Sequence, residues 1–174
     1  MIARFGWPAL IAGLVASTGC MRVERANTTE SQRQGITAMM DSIASDLRAQ
    51  GPNAWLRYFE SNAGFFMASD GTMAFPSNDS AVKAMPHIAA LLRHADLQWG
   101  ALRIDSLTPS LVQIATPFAE TLVDSAGKEM KISGYFTALA HRGEDGWKLR
   151  NAHWSIVHPV APTPSPGKLS KPPR

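Results

Sequence analysis

The stretch EMKISGYFTALAHRGEDGWKLRNAHWSIV, residues 129–157, predicts two long β-strands joined by a tight polar turn. Asp145-Gly146 lies between two runs rich in β-branched and aromatic residues, where Asp-Gly is a strong hairpin signal. Side chains alternate between the two faces of a strand, and on the second strand this period groups five residues on one face: Trp147, Leu149, Asn151, His153 and Ser155. If this face turns inward, its first residues are apolar, and its last three, Asn151, His153 and Ser155, form the polar end of a pocket.

The N-terminal half of the chain predicts helices that cover one face of a sheet. Asn27 and Glu30 have the spacing of a capping box. Apolar residues follow at three- and four-residue intervals, as in an amphipathic helix: Ile36, Met39, Met40, Ile43 and Leu47. A short second helix is predicted at residues 53–60, and a third at residues 80–94 with a kink at Pro86.

The C-terminal half predicts an antiparallel sheet. Two short strands flank Asp70-Gly71, and four longer β runs follow at residues 97–107, 111–124, 128–142 and 147–157. The connections between these runs are too short for crossovers, so neighbouring strands must be antiparallel. Helices followed by such a meander predict an α+β fold, with the sheet curled around the first helix.

The first 20 residues resemble the signal of a bacterial lipoprotein. A positive start at Arg4 precedes an apolar run that is too short to span a bilayer. In that family of signals, cleavage occurs before a cysteine, here Cys20, which becomes the lipid-modified first residue. Ser17 departs from the pattern, since leucine is usual there, and Met21 favours the outer membrane. A plain secretory signal and a retained anchor are the alternatives.

The remaining composition bounds the domain organisation and the partners. Cys20 is the only cysteine, which excludes an internal disulfide. The net charge of +3 reflects bases in the two tails, and without a basic helix or stripe we predict no nucleic-acid partner. We predict a tether at residues 21–30, one domain at residues 31–158, and a disordered proline-rich tail at residues 159–174.

Three segments resemble the SnoaL-like branch of the nuclear transport factor 2-like superfamily: Gly134-Tyr135-Phe136-Thr137, Asp145-Gly146-Trp147-Lys148-Leu149 and Asn151-Ala152-His153-Trp154-Ser155. The resemblance implies a cone-shaped α+β roll, with a curved sheet wrapped around N-terminal helices. The superfamily also includes ketosteroid isomerases, polyketide cyclases and scytalone dehydratase. Because one fold hosts many functions, the resemblance indicates a fold and leaves the activity open.

The catalytic positions of the steroid isomerases are empty in this chain. The resemblance places Met67 where that family carries an aspartate base, Ala138 where it carries a protonated aspartate, and Ala44 where it carries a helix tyrosine. Methionine and alanine cannot transfer a proton, so the isomerase mechanism is not predicted.

We therefore expect an exported binding module that holds a small apolar molecule or a partner. Its predicted lining is mostly aromatic, with an amide and an imidazole at the polar end: Trp55, Phe59, Met67, Phe136, Trp147, Asn151 and His153. The alternative is a cofactor-free isomerase, cyclase or dehydratase that uses His153 as general base. A third interpretation makes His153 a hydrogen-bonded residue at the sheet rim. No metal or cofactor is predicted.

The opposite face of the closing hairpin predicts a partner surface. If Phe136 and His153 point inward, then Tyr135 and Trp154 point outward. Exposed aromatic residues on a sheet face favour an interface, and relatives of this fold commonly pair through that face. We therefore predict a homodimer through the outer sheet face.

Overall fold

A computed structural model of the chain describes residues 28–158. The predicted signal, the lipidation at Cys20, most of the tether and the proline-rich tail lie outside these residues. The elements in chain order are α1 (Glu30–Gln50), a 3-10 helix (Pro52–Arg57), β1 (Phe66–Ser69), β2 (Thr72–Phe75), α2 (Asn78–Leu91), β3 (Leu92–Trp99), β4 (Arg103–Thr108), β5 (Leu111–Asp124), β6 (Glu129–Gly143) and β7 (Gly146–Ile156). No helix in this part of the chain is long and apolar enough to cross a membrane.

Helix α1 begins with a capping box that differs from the predicted one. Its N-cap is Thr29, whose side chain accepts from the Gln32 amide at 3.1 Å, while Gln32 Oε1 accepts from the Thr29 amide at 2.9 Å. The prediction that Asn27 caps this helix is therefore wrong, because the reciprocal side-chain partner of a capping box lies three residues after the N-cap, and Gln32 has this spacing from Thr29. The predicted apolar stripe is confirmed, since all five of its members are buried.

The seven strands form one curved sheet in the order β2-β1-β7-β6-β5-β3, and β4 also pairs with β5. All pairings are antiparallel except that of β1 with β7. Helix α1 packs against β3, β4 and β7, and α2 packs against β2, β3 and the 3-10 helix, so both helices cover the inner face. The predicted α+β class is confirmed.

The predicted run at residues 97–107 is divided between β3 and β4. These strands pair with successive parts of β5, so that Trp99 lies opposite Phe118 and Arg103 opposite Ala115. Pro117 lies between these two pairings and has no amide hydrogen to offer a neighbour. The chain turns there, and the Gly100 amide donates to the Pro117 carbonyl at 2.8 Å.

A β-bulge in β7 overturns the predicted faces of the closing hairpin. Asn151 pairs with Leu139 of β6, whereas Leu149 pairs with the next residue, Ala140, so Arg150 is an extra residue. One extra residue moves every later side chain to the other face of the sheet. His153 is consequently exposed on the outer face, and Trp154 is buried on the inner one.

The third helix also ends earlier than predicted. Helix α2 ends at Leu91, and His94 lies on β3 instead of sharing a helix with His87. Pro86 lies inside α2 as predicted, and Ser77 caps the helix by accepting from the Ser80 amide at 3.2 Å.

Candidate functional site

A cavity with a volume of about 220 Å³ lies between the helices and the inner face of the sheet. The 3-10 helix, α2 and the ends of six strands surround it. Its wall is almost entirely carbon, and it is formed by Leu47, Pro52, Trp55, Phe59, Met67, Ser69, Phe75, Met85, Ile88, Leu92, Ala95, Glu120, Leu122, Ile132, Trp154 and Ile156. A largely apolar, concave wall with few polar groups is the usual design of a small-molecule site.

Glu120 is the one ionisable residue in this wall. Inward-facing positions alternate along β5 and are apolar or hydroxyl-bearing up to this point: Val112, Ile114, Thr116 and Phe118. Glu120 continues the alternation and lies between Leu97 of β3 and Ile132 of β6. Its carboxyl group makes no hydrogen bond or ion pair to any group in residues 28–158.

Burial raises the pKa of Glu120 from its ordinary value of 4.5 to about 7. An apolar wall disfavours the charged form of a carboxyl group, and here no neighbouring charge offsets that effect. Glu120 therefore changes protonation state near neutral pH, which is the property required of a general acid or base. Ser69 is the other polar residue of the wall.

Four aromatic side chains form one side of the cavity: Trp55, Phe59, Phe75 and Trp154. The rings of Trp55 and Trp154 are 5.8 Å apart between centroids and meet at 84°, so together they make a corner. The ring of Phe59 stacks on that of Trp55, with their centroids 5.8 Å apart, and its centroid lies 6.4 Å from that of the Phe75 ring. Behind the wall, Trp154 packs edge to face on Phe118 at 4.4 Å.

The predicted lining residues divide into two groups. Trp55, Phe59 and Met67 do line the cavity. Phe136 is fully buried behind the wall, where its ring lies 4.9 Å from that of Trp154. Trp147 faces inward but lies against α1, where a Cβ atom on Gly35 would be only 2.6 Å from the indole nitrogen.

Asn151 and His153 do not belong to the cavity, so their predicted place at its polar end is wrong. The bulge at Arg150 turns both toward the outer face, where they border a shallow groove. Asn151 Oδ1 accepts from the Leu139 amide at 3.3 Å, and His153 is exposed. The general-base role considered for His153 lacks an enclosed site around the imidazole.

The predicted partner surface loses one of its two aromatic residues. Tyr135 lies on the outer face and its side chain is 48% exposed, as predicted. Trp154 is only 8% exposed, because it faces the cavity. Exposed apolar residues on this face include Phe66, Leu107, Met73 and Tyr135.

A second polar cluster lies at the far end of the hairpin. His141 Nδ1 is 2.8 Å from Glu60 Oε1, and Glu60 Oε2 is buried with no hydrogen-bond partner among the described residues. Glu60 is held in place by its backbone, whose amide donates to the Leu149 carbonyl at 2.9 Å. Within residues 28–158, no group of three or more His, Cys, Asp or Glu side chains is arranged to hold a metal ion.

Comparison with known proteins identifies the fold. No family model and no curated protein sequence matches the chain. A candidate scytalone dehydratase from Novosphingobium aromaticivorans is 12% identical, with a TM-score of 0.65 over 74% of this chain and 85% of that one. A nuclear transport factor 2-like superfamily protein from Salmonella enterica is 12% identical, with a TM-score of 0.62 over 78% and 96%. The hexachlorocyclohexane dehydrochlorinase LinA-type3 from Novosphingobium barchaimii is 12% identical, with a TM-score of 0.60 over 82% and 96%.

These similar structures carry different functions. They include proteins named as enzymes and a nuclear transport factor 2-like protein of unknown function from Shewanella oneidensis. At such low identity the likeness concerns the fold and not the activity. The resemblance to the SnoaL-like and nuclear transport factor 2-like superfamily is thereby confirmed for the fold, and residues 28–158 of this chain form a cone of the nuclear transport factor 2-like type.

Proposed function

We propose that the protein binds a small, largely apolar molecule in the cavity between its helices and the inner face of its sheet. The observation that carries this proposal is an open space of about 220 Å³ whose wall is carbon except at Ser69 and Glu120. Each Å² of apolar ligand surface that the cavity removes from water contributes about 25 cal/mol to the free energy of binding. The wall is already formed, as is usual for small-molecule sites.

The size of the cavity limits the ligand. Drug-sized molecules occupy pockets of about 300–1,000 Å³, and this cavity of about 220 Å³ is smaller. The ligand is therefore compact, of the size of a single substituted ring. The rings of Trp55 and Trp154 border the space it would fill. Binding should therefore change tryptophan fluorescence.

Narrowing the cavity tests this function. Ala95 is buried in the wall on β3, so Ala95→Leu places additional carbon in the cavity. Single-ring compounds of neutral, cationic and anionic character should change the fluorescence of the parent protein, and Ala95→Leu should abolish the response. If Ala95→Leu lowers the melting temperature, its loss of binding could reflect unfolding. Leu122→Phe then replaces it, because this variant narrows the same cavity from β5.

The matched control uses an alanine on the opposite face. Ala119 is exposed on β5, so Ala119→Leu adds the same atoms outside the cavity. This variant should bind as the parent protein does. If no compound binds the parent protein, or if both leucine variants bind as well as the parent, the proposed function is wrong.

A second candidate function is cofactor-free proton transfer by Glu120. The observation that favours it is the raised pKa of this carboxyl group, about 7, in the largely apolar wall of the cavity. Glu120 replaces His153 in the alternative suggested by the sequence. A turnover reaction would show an activity that rises with pH through a midpoint near 7, and Glu120→Gln would abolish it.

We also propose that the protein is exported to the bacterial periplasm and held at the outer membrane by a lipid on Cys20. The support is the charged start, the short apolar run and the cysteine that ends it. Mass spectrometry of natively purified protein should give a chain that begins at Cys20 and carries acyl groups. Cys20→Ala should remove the acyl mass, and a full-length, unmodified chain in the parent protein would contradict the proposal.

Homodimerisation through the outer sheet face is a third part of the proposal. The support is the presence of exposed apolar residues on this face: Phe66 and Leu107, which line a shallow groove, and Tyr135 elsewhere on the face. Sedimentation equilibrium should give twice the monomer mass for the parent protein, and Tyr135→Ser should weaken the association. A monomeric parent protein would contradict this part alone.

A further inference from the structure

The charge of Glu120 has no counterpart in the cavity. Its carboxyl group is the only ionisable group of the wall, and none of the described residues donates a hydrogen bond to it or pairs with it. Buried charges in proteins are normally paired, because leaving one unpaired costs much of its hydration free energy. A neutral apolar ligand would displace water from this carboxyl group and would give nothing in return.

The wall that holds Glu120 also contains four aromatic rings. Trp55, Phe59, Phe75 and Trp154 line the cavity, and the near-perpendicular indoles of Trp55 and Trp154 form a corner of two ring systems. Aromatic faces attract cations through their quadrupole, most strongly when the cation is shielded from water. The same rings give an anion no stabilisation, and Glu120 repels it.

We propose that the ligand of the cavity is a small lipophilic ammonium compound, whose cationic nitrogen pairs with the Glu120 carboxylate and whose carbon groups lie against the aromatic corner. This inference rests on the proposed function, because it names the class of ligand that the cavity takes. The carboxylate and the rings act on the same charge, so the site distinguishes a cation from a neutral molecule of identical shape.

The protonation behaviour of Glu120 supports the inference. Burial raises its pKa to about 7 in the free protein, since no cation stabilises the ionised form. A bound ammonium supplies that cation and lowers the pKa. By linkage, a ligand with a permanent positive charge binds more tightly as the pH rises through 7. Leu97 and Ile132, which flank Glu120 on the neighbouring strands, are neutral, as are the other side chains of the wall.

A pair of isosteric probes tests the inference. Phenyltrimethylammonium carries a permanent charge, and tert-butylbenzene has the same shape with carbon in place of nitrogen. Calorimetric or fluorescence titration at pH 8 should give an affinity at least about tenfold higher for the cation. Glu120→Gln should lower the cation's affinity about tenfold or more and change that of tert-butylbenzene less than about threefold.

The control for the substitution is Glu144→Gln. It makes the same chemical change at an exposed residue of the hairpin turn and should leave both affinities unchanged. Equal or tighter binding of tert-butylbenzene by the parent protein would overturn the ammonium assignment and leave the proposed apolar site intact. An unchanged affinity of Glu120→Gln for the cation would also overturn it. If neither probe binds the parent protein, both the ammonium assignment and the proposed function are wrong.

Discussion

Leu149 and Asn151 lie two residues apart on one strand, yet their side chains face opposite sides of the sheet. The bulge at Arg150 separates them. Before the bulge, Leu149 is buried on the inner face, and after it the inward positions are Ala152, Trp154 and Ile156. The bulge therefore places an indole in the cavity wall and an imidazole in solvent.

Adjacent substitutions on β7 test this arrangement. Trp154 packs against Trp55, Phe118 and Phe136, so Trp154→Ala should lower the free energy of unfolding by about 3–5 kcal/mol. His153 is exposed and makes no side-chain hydrogen bond within the described residues, so His153→Ala should change it by less than about 0.5 kcal/mol. Urea denaturation measures both. The opposite order of the two effects would show that the strand has no bulge.

The stability of the protein should depend on pH through Glu120. Its pKa in the folded protein is about 7, above the ordinary value of 4.5, so folding favours the protonated form. This contribution is fully present below pH 4.5 and is lost as the pH rises through 7, with an upper limit of about 3 kcal/mol.

Glu120→Gln removes this loss, because glutamine remains neutral. The free energy of unfolding of the variant, relative to the parent protein, should therefore rise between pH 4 and pH 8. Other carboxyl groups titrate in both proteins and cancel in the difference. A constant difference across this range would show that Glu120 has an ordinary pKa in the folded protein.

Gly134 marks a close approach between β6 and β7. A Cβ atom at this position would overlap the carbonyl oxygen of Ser155, a backbone atom that cannot move aside easily. Gly134→Ala should therefore lower the free energy of unfolding by more than about 1 kcal/mol. Gly143, at the end of the same strand, has open space around its Cα and no positive φ, and Gly143→Ala is the matched control. Equal melting temperatures for the two variants would refute the predicted steric conflict.

The pair between Glu60 and His141 should contribute to stability. His141 provides the one side-chain hydrogen bond that Glu60 makes within the described residues, at 2.8 Å. His141→Ala leaves a buried carboxyl group without a partner and should lower the free energy of unfolding by about 1–3 kcal/mol. His87 is exposed on α2, and His87→Ala should have no measurable effect. Similar unfolding curves for these two variants would mean that the pair contributes nothing.

The fold follows closely from local sequence signals. The Asp145-Gly146 turn, the apolar stripe of α1 and the short connections between strands each determine one element or one pairing, and together they leave few arrangements. The faces of β7 could not be derived in this way. A single inserted residue reverses the alternation, and nothing in the side chains around Arg150 indicates that the insertion lies there.

The site could be predicted only in part. Trp55, Phe59 and Met67 can be predicted as lining residues because they are large apolar side chains of the elements that form the core, and all three line the cavity. Glu120 is not among the predicted site residues, because residues 111–124 are predicted only as a β run, although the alternation from Val112 to Phe118 puts position 120 on the inner face. A charged residue at an inward position of an apolar strand was the signal that pointed to the cavity.

We propose that the functional site is the inner cavity, with the carboxyl group of Glu120 as the one ionisable group of its wall. The most direct test is the carbon-13 chemical shift of that carboxyl group, followed by NMR over a pH titration with and without phenyltrimethylammonium. We predict a midpoint near 7 in the free protein, as the buried carboxyl group requires, and a clearly lower midpoint when the cation is bound. A midpoint near 4.5 that the cation does not change would contradict the account.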